Sequence, residues 1–215
     1  MPRWLVLVLV FLLATLWWLA HLGSASHAAT TTAASAGAAD TTCSVLQAPA
    51  GLDDALQTGQ VGPAFRAGDA TMTPLAGFSV SARVLSREEY HFGRESDYSP
   101  LDLALGWGPM SAPGLAERLS VTQGNRWFRY SWGREGPPMP PADIATHSAN
   151  MHMVPADAAV ARELDGVAAG QMVRIDGWLL RIDGDDGWHW QSSLSRVDTG
   201  EGACELVLVC RVRAR

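Results

Sequence analysis

Hydrophobic and polar positions divide the chain into one continuous apolar run and a set of short segments of differing period. Residues 4–20 carry no charge, and the run reaches residue 22 if His21 is admitted, with Arg3 the only charge before it. Two readings fit. A transmembrane anchor needs about 20 apolar residues, and Trp17 and Trp18 near the end of the run suit a membrane–water interface. A cleaved signal peptide needs a small-residue cleavage site, which Ser26-His27-Ala28 offers. The run is long for a signal peptide, so the anchor reading is taken first. Under either reading Arg3 stays on the cytoplasmic side and the remainder crosses.

Beyond the run the pattern predicts a β-rich domain. Residues 28–45 are Ala/Thr-rich and are expected to be a linker, and 44–75 to be loop with one short helix near Leu52–Leu56. Phe78, Val80, Ala82 and Val84 alternate with polar residues, as in a half-buried strand. Residues 86–98 are strongly polar and are expected to be exposed. Ser99-Pro100-Leu101-Asp102 resembles a helix start with a capping box, and a second short helix is expected at Pro113–Leu119.

Strands are predicted at Ser120–Gln123 and Asn125–Trp132, followed by a proline-rich break at 136–141 and a short strand or turn at His147–Met153. Pro155 should open a helix with Val160, Leu164 and Val167 on one face. Three strands follow: Met172–Ile182, with a phase change at Gly177 that suggests a β-bulge; Trp188–Arg196; and Cys204–Val212, with Cys204, Leu206, Leu208, Cys210 and Val212 on its core face. The expected fold class is α+β and β-rich. It is drawn as a small antiparallel OB-like barrel or curled sheet with one or two short helices. Residues 1–27 form the signal or anchor, 28–45 the linker and 46–215 one globular domain.

Charge narrows the function. The net charge is −6 and all 16 basic residues are arginine, a balance that argues against non-specific nucleic-acid binding. Export would permit disulfides. Cys204 and Cys210 lie six apart in one predicted strand, about 20 Å, too far to bridge. Three buried thiols is the preferred reading; any disulfide must include Cys43.

Three groups of side chains are candidates for chemistry. His147, Asn150 and His152 with Cys204 contain the elements of a Cys–His–Asn arrangement, although histidine and asparagine more often satisfy backbone groups in a turn. Trp127, Arg129, Trp178, Trp188 and Trp190 form a candidate ligand-binding surface, since rings flanked by arginine stack on sugars, bases or aromatic side chains. The competing and preferred reading is that most of these tryptophans fill the core. Ser192, Ser193, Ser195 and Asp198 lack any hydrolase motif and read as a turn. No metal-ligand spacing is present, no cofactor is called for, and Asp183–Asp186 reads as a solvated hairpin loop.

The segments SPLDLALGWGPMS (99–111), THSANMHMVPA (146–156) and WQSSLSRVDTGEGACELVLV (190–209) resemble a group of bacterial envelope proteins of no assigned activity. That group carries S-P-x-D-L-A-L-G-W-G, H-S-x-N-M-H and D-T-G-x-G-A-C-E stretches, and the likeness covers roughly residues 76–210. It implies one exported domain and no mechanism. The expectation is therefore an extracytoplasmic binding or assembly module, leaning away from an enzyme. It would sit at the inner membrane through residues 4–22, or in the periplasm or outside the cell after cleavage, with an unknown protein or small molecule as partner. The alternative is a small periplasmic hydrolase using a histidine with Cys204 or a serine.

Overall fold

The structure, a computed structural model, describes residues 37–52, 54–195 and 204–215. Alternation of apolar residues dominates it. In chain order the elements are helix α1 (37–44), strands β1 (Leu56–Thr58), β2 (Phe65–Ala67) and β3 (Ala70–Glu89), helix α2 (Arg94–Tyr98), and strands β4 (Leu101–Trp107), β5 (Leu119–Gly124) and β6 (Trp127–Trp132). Helix α3 (Pro141–Thr146), β7 (Ser148–Pro155), α4 (Ala158–Asp165), β8 (Met172–Gly184), β9 (His189–Gln191) and β10 (Glu205–Ala214) complete it. The class is α+β and β-rich, and the described residues form a mixed eight-stranded sheet, a two-stranded sheet and four short helices.

Strand order in the main sheet is β1-β3-β4-β7-β10-β8-β9, with β2 added on β3. Strand β3 pairs with both β4 and β8, so the path β3–β4–β7–β10–β8 returns to β3. Two register shifts, at 74–76 against β8 and 84–86 against β4, allow the 20-residue β3 to bend between these partners. The pairing β7–β10 is parallel, which corrects the purely antiparallel expectation. Helix α4, capped by Asp157 Oδ1 accepting from Ala159 N and Val160 N, lies between β7 and β8 in sequence. It sends Val160 and Leu164 into the core.

Both faces of the central strands are buried, and this accounts for the main errors of the sequence reading. Val173, Ile175 and Leu179 of β8 enter one apolar cluster with Phe78, Val80, Leu103 and Met151. Trp178, Leu180 and Ile182 enter a second cluster with Met72, Leu206 and Leu208. The phase change at Gly177 is therefore two buried faces rather than a bulge in β8. The bulge lies across the ladder in β10, where Val209 faces Gly177 and Arg211 faces Asp176. Gly177 is required for a different reason: a Cβ there would lie 2.0 Å from the Leu208 carbonyl oxygen. In β10 the expected core face is split, with Leu206 and Leu208 in one cluster and Val207, Val209 and Val212 in the other.

The helix expected from Ser99 is strand β4, all seven residues of which are buried. Leu101, Leu103, Leu105 and Trp107 alternate with Asp102, Ala104 and Gly106, and this period of two outweighs the capping pattern. Strand β3 runs on through Glu89 into the polar segment expected to be exposed, where residues 86–88 are half-buried. Between 113 and 119 there is a 3₁₀ turn, Ala116–Arg118, in place of an α-helix. The second strand of the final three is only His189–Gln191. Near Leu56 the chain forms a strand, not a helix. Residues 37–44 of the expected linker are helical, and Ala38, Ala39 and Cys43 pack on the second cluster.

Cys43 is bonded to Cys210 across 167 residues, so the preferred reading of three thiols gives way to a bridge that includes Cys43. The bond fastens α1 to β10 over Trp178, whose Nε1 donates to the Thr42 carbonyl at 3.2 Å. The predicted membrane segment, residues 4–22, and the turn at 198–202 lie outside the described residues. Among the described residues no helix is long and apolar enough to cross a membrane.

Candidate functional site

Register in the β3–β4–β7–β10 ladders builds a polar row on one sheet face. Glu88 lies opposite Asp102, Asp102 opposite His152, and His152 opposite Leu206. Strand parity sends Leu101, Leu103, Met151 and Met153 to the core, so Asp102, Asn150 and His152 share the other side. All three are buried: Asp102 is 0 % exposed, Asn150 1 % and His152 3 %.

The hairpin β5–β6 covers this row. It is a two-stranded sheet of its own, closed by Asn125 and Arg126 at φ 51° and 66°. A two-residue connection with positive φ at both positions is the type I′ turn, in which glycine is favoured at the second. Arginine there costs about 1–2 kcal/mol of backbone strain. The surroundings hold it. Arg126 Nη1 donates to Asp102 Oδ1 at 2.8 Å and to the Ser99 carbonyl at 2.9 Å. Its backbone N–H donates to Tyr90 Oη at 3.0 Å, and its carbonyl accepts from Asn150 Nδ2 at 2.9 Å. Its guanidinium carbon stands 3.8 Å over the Tyr90 ring and 5.6 Å from that of Trp190. Asn150 Nδ2 also donates to Asp102 Oδ2 at 3.0 Å, and Gln123 Nε2 donates to Asn150 Oδ1 at 2.7 Å.

His152 Nδ1 lies 2.9 Å from Asp102 Oδ1, off the alignment of a hydrogen bond. Gln123 Oε1 is likewise buried with no hydrogen-bond partner. The His152 ring packs on Trp190 with centroids 4.9 Å apart. An aromatic wall continues outward from there. Trp190 leans on Trp188 at 6.4 Å, and Trp188 stacks on Tyr98 at 5.8 Å and 13°. The Arg94 guanidinium lies 4.5 Å over Trp188. Burial, and then a hydrogen bond to Asp69, push the Tyr98 hydroxyl up to about 12. Burial also raises Tyr90.

The acidic turn is an exposed hairpin loop, as expected, and its carboxylates also pair with arginines. Asp185 pairs with Arg66 at 2.7 Å, Asp186 pairs with Arg94, and Asp183 pairs with Arg181 at 2.7 Å. Hydrogen bonds from these arginines hold all three carboxyls below their ordinary range. Among the described residues no group of three or more His, Cys, Asp or Glu is arranged to hold a metal ion.

The predicted site residues divide. Asn150 and His152 meet on Asp102, and Cys204 Sγ lies 3.8 Å from the Arg126 carbonyl, so three of the four catalytic candidates border one cluster. His147 does not join them. It caps α3, with Nδ1 donating to the Asp143 carbonyl at 2.8 Å. Trp188 and Trp190 line the wall, whereas Trp178 is core at 1 % exposure. Trp127 and exposed Arg129 lie on the separate hairpin sheet, so the five expected platform residues do not share one sheet. Ser192 Oγ donates to the Ser193 carbonyl and accepts from Leu206 N, consistent with a turn. Sequence reasoning missed Tyr90, Asp102, Gln123 and Arg126. The alternation in β4 marks Asp102, and the polar pair Asn125-Arg126 between two strand runs marks the hairpin tip.

No protein-family profile, no curated protein and no solved structure matches this chain.

Proposed function

We propose that the chain is an extracytoplasmic binding or assembly module, held at the inner membrane by residues 4–22 or released when that segment is cleaved. The observation that carries this reading is the convergence of half-buried Tyr90, Trp188 and Trp190 with Arg126 over the buried row Asp102–Asn150–His152. Convergent polar groups framed by aromatic rings are characteristic of ligand sites. The Cys43–Cys210 bridge supports the compartment, because disulfides persist in oxidising environments.

The cyclic pairing β3–β4–β7–β10–β8 supports reading the sheet as a small OB-like barrel, with α4 between the third and fourth strands of the cycle in chain order. In such barrels the face of the second and third strands receives ligands. Those strands are β4 and β7 here, and they carry the polar row. This support is by analogy of fold. The same arrangement gives a second reading some footing, a small hydrolase, because His152, Asn150 and Cys204 border one cluster.

Capture from the envelope tests the module. Tagged full-length protein and its Trp190→Ala variant are cross-linked in cells and purified from the membrane and periplasmic fractions. A species retained by the parent and lost from the variant is the expected result. An identical set from both, together with turnover of ester substrates that iodoacetamide blocks, favours the hydrolase.

A further inference from the structure

We infer that the pocket around Asp102 is a guanidinium-recognition site which the chain's own Arg126 fills, and that with the hairpin tip lifted it takes an arginine side chain from a partner protein. The inference rests on the binding-module reading above and names its ligand.

Pocket and occupant belong to different parts of the fold. Asp102 and Ser99 come from β4 and the residues before it, Tyr90 follows β3, and Trp190 lies on β9. All are attached to the main sheet. Arg126 comes from the tip of the separate two-stranded sheet.

The pocket fits a guanidinium in three respects. It presents a carboxylate oxygen and a carbonyl oxygen, 2.8 and 2.9 Å from one guanidinium nitrogen. It presents two aromatic rings to the cation, with Tyr90 3.8 Å away. Its carboxylate is 0 % exposed, so an uncompensated cavity would strongly favour a cation. A planar, delocalised cation uses all of these together, whereas an ammonium reproduces only the charge. Anions are disfavoured, because Glu88 lies opposite Asp102 in the same row.

Two observations mark Arg126 as an occupant that does not saturate the site. It takes a left-handed conformation at the turn position that favours glycine, φ 66°. With it in place, Gln123 Oε1, a buried polar atom on the same hairpin, has no hydrogen-bond partner. An incoming arginine brings five N–H donors unconstrained by the turn.

The test uses full-length Arg126→Gly, which empties the pocket and leaves Asn-Gly, a favoured hairpin turn. N-acetyl-arginine amide and N-acetyl-lysine amide are titrated into it and into the parent, with tryptophan fluorescence and thermal shift as readouts. The variant should bind the arginine probe with a Kd below about 10 mM and at least about tenfold more tightly than the lysine probe. The parent should show no saturable binding over the same range. Adding Tyr90→Ala to the variant should abolish binding. If Arg126→Gly does not fold, circular dichroism should show the arginine probe restoring the fold and the lysine probe not doing so.

Equal response to the two probes, no rescue of an unfolded variant, or parent binding as tight as the variant's would overturn the inference. A partner captured in the envelope experiment without arginine binding here would sink this inference and leave the module standing. Arginine binding without a captured partner would do the reverse.

Discussion

Asp102 and Arg126 meet at 2.8 Å from two different sheets, one side chain fully buried in β4 and the other at the tip of the β5–β6 hairpin. Asp102 also accepts from Asn150 and stands beside His152, so it is the hub of the buried polar row. Removing it takes the carboxylate from a largely buried cation and one acceptor from the Asn150 amide. Asp102→Ala is expected to destabilise the domain by about 3–5 kcal/mol, measured by urea unfolding. Glu88→Gln, its cross-strand neighbour, should cost about 0.5 kcal/mol or less. Equal effects would mean that Asp102 is not the hub.

The Cys43–Cys210 bridge closes a loop spanning 167 residues of sequence separation and holds α1 over Trp178. Cys43→Ser should lower stability by about 2–5 kcal/mol, which corresponds to a Tm fall of roughly 5–15 °C for a domain of this size. Dithiothreitol should reproduce the fall in the parent and have no further effect on the variant. Non-reducing peptide mapping should recover Cys43 joined to Cys210.

Gly177 and Gly124 should respond oppositely to alanine. At Gly177 a methyl group meets the Leu208 carbonyl oxygen at 2.0 Å, and both belong to paired backbone that cannot move independently. Gly177→Ala should cost about 3 kcal/mol or more. At Gly124 nothing lies within 4 Å of the added carbon, and Gly124→Ala should fall between neutral and a gain of about 1 kcal/mol. Thermal unfolding of the two variants checks the pair.

Tyr98 supplies a pH dependence of defined sign. Its hydroxyl is raised from 10.0 to about 12 by burial and by its bond to Asp69. The folded state therefore holds the proton more tightly than the unfolded chain. That contribution is complete below pH 10 and is lost as pH rises from 10 towards 12. Absorbance at 295 nm should show a tyrosine titrating well above the ordinary value that Tyr98→Phe removes, and the same substitution should flatten the alkaline loss of stability.

Much of the fold was legible because alternation survives wherever one strand face meets the core. Phe78 to Val84 alternates in the sequence and is buried as expected. Val160 and Leu164 likewise mark α4. Legibility failed where both faces are covered. In β8 and β10 the outer residues Trp178, Leu180 and Leu206 are as apolar as the inner ones, so parity no longer identifies the core side. In β4 the local capping pattern at Ser99-Pro100 competed with pairing to β3 and β7, and pairing won.

The candidate site was half legible for a related reason. Asn150 and His152 lie two apart on one strand, and their parity is readable. Asp102, 48 residues from Asn150, joins them only through the β4–β7 register, and Arg126 only through the docking of the hairpin. Nothing local in the sequence encodes either long-range contact. The conflict between an arginine and the glycine-favouring turn position at 126 is the nearest thing to a local mark.

Export of the domain, on which the proposed role depends, is tested most directly by a C-terminal fusion to alkaline phosphatase, an enzyme active only after crossing the inner membrane. Phosphatase activity in intact cells is predicted, with loss of activity when charged residues interrupt residues 4–22. An inactive phosphatase fusion beside a fluorescent cytosolic fusion at the same position would contradict the compartment and, with it, the proposed role.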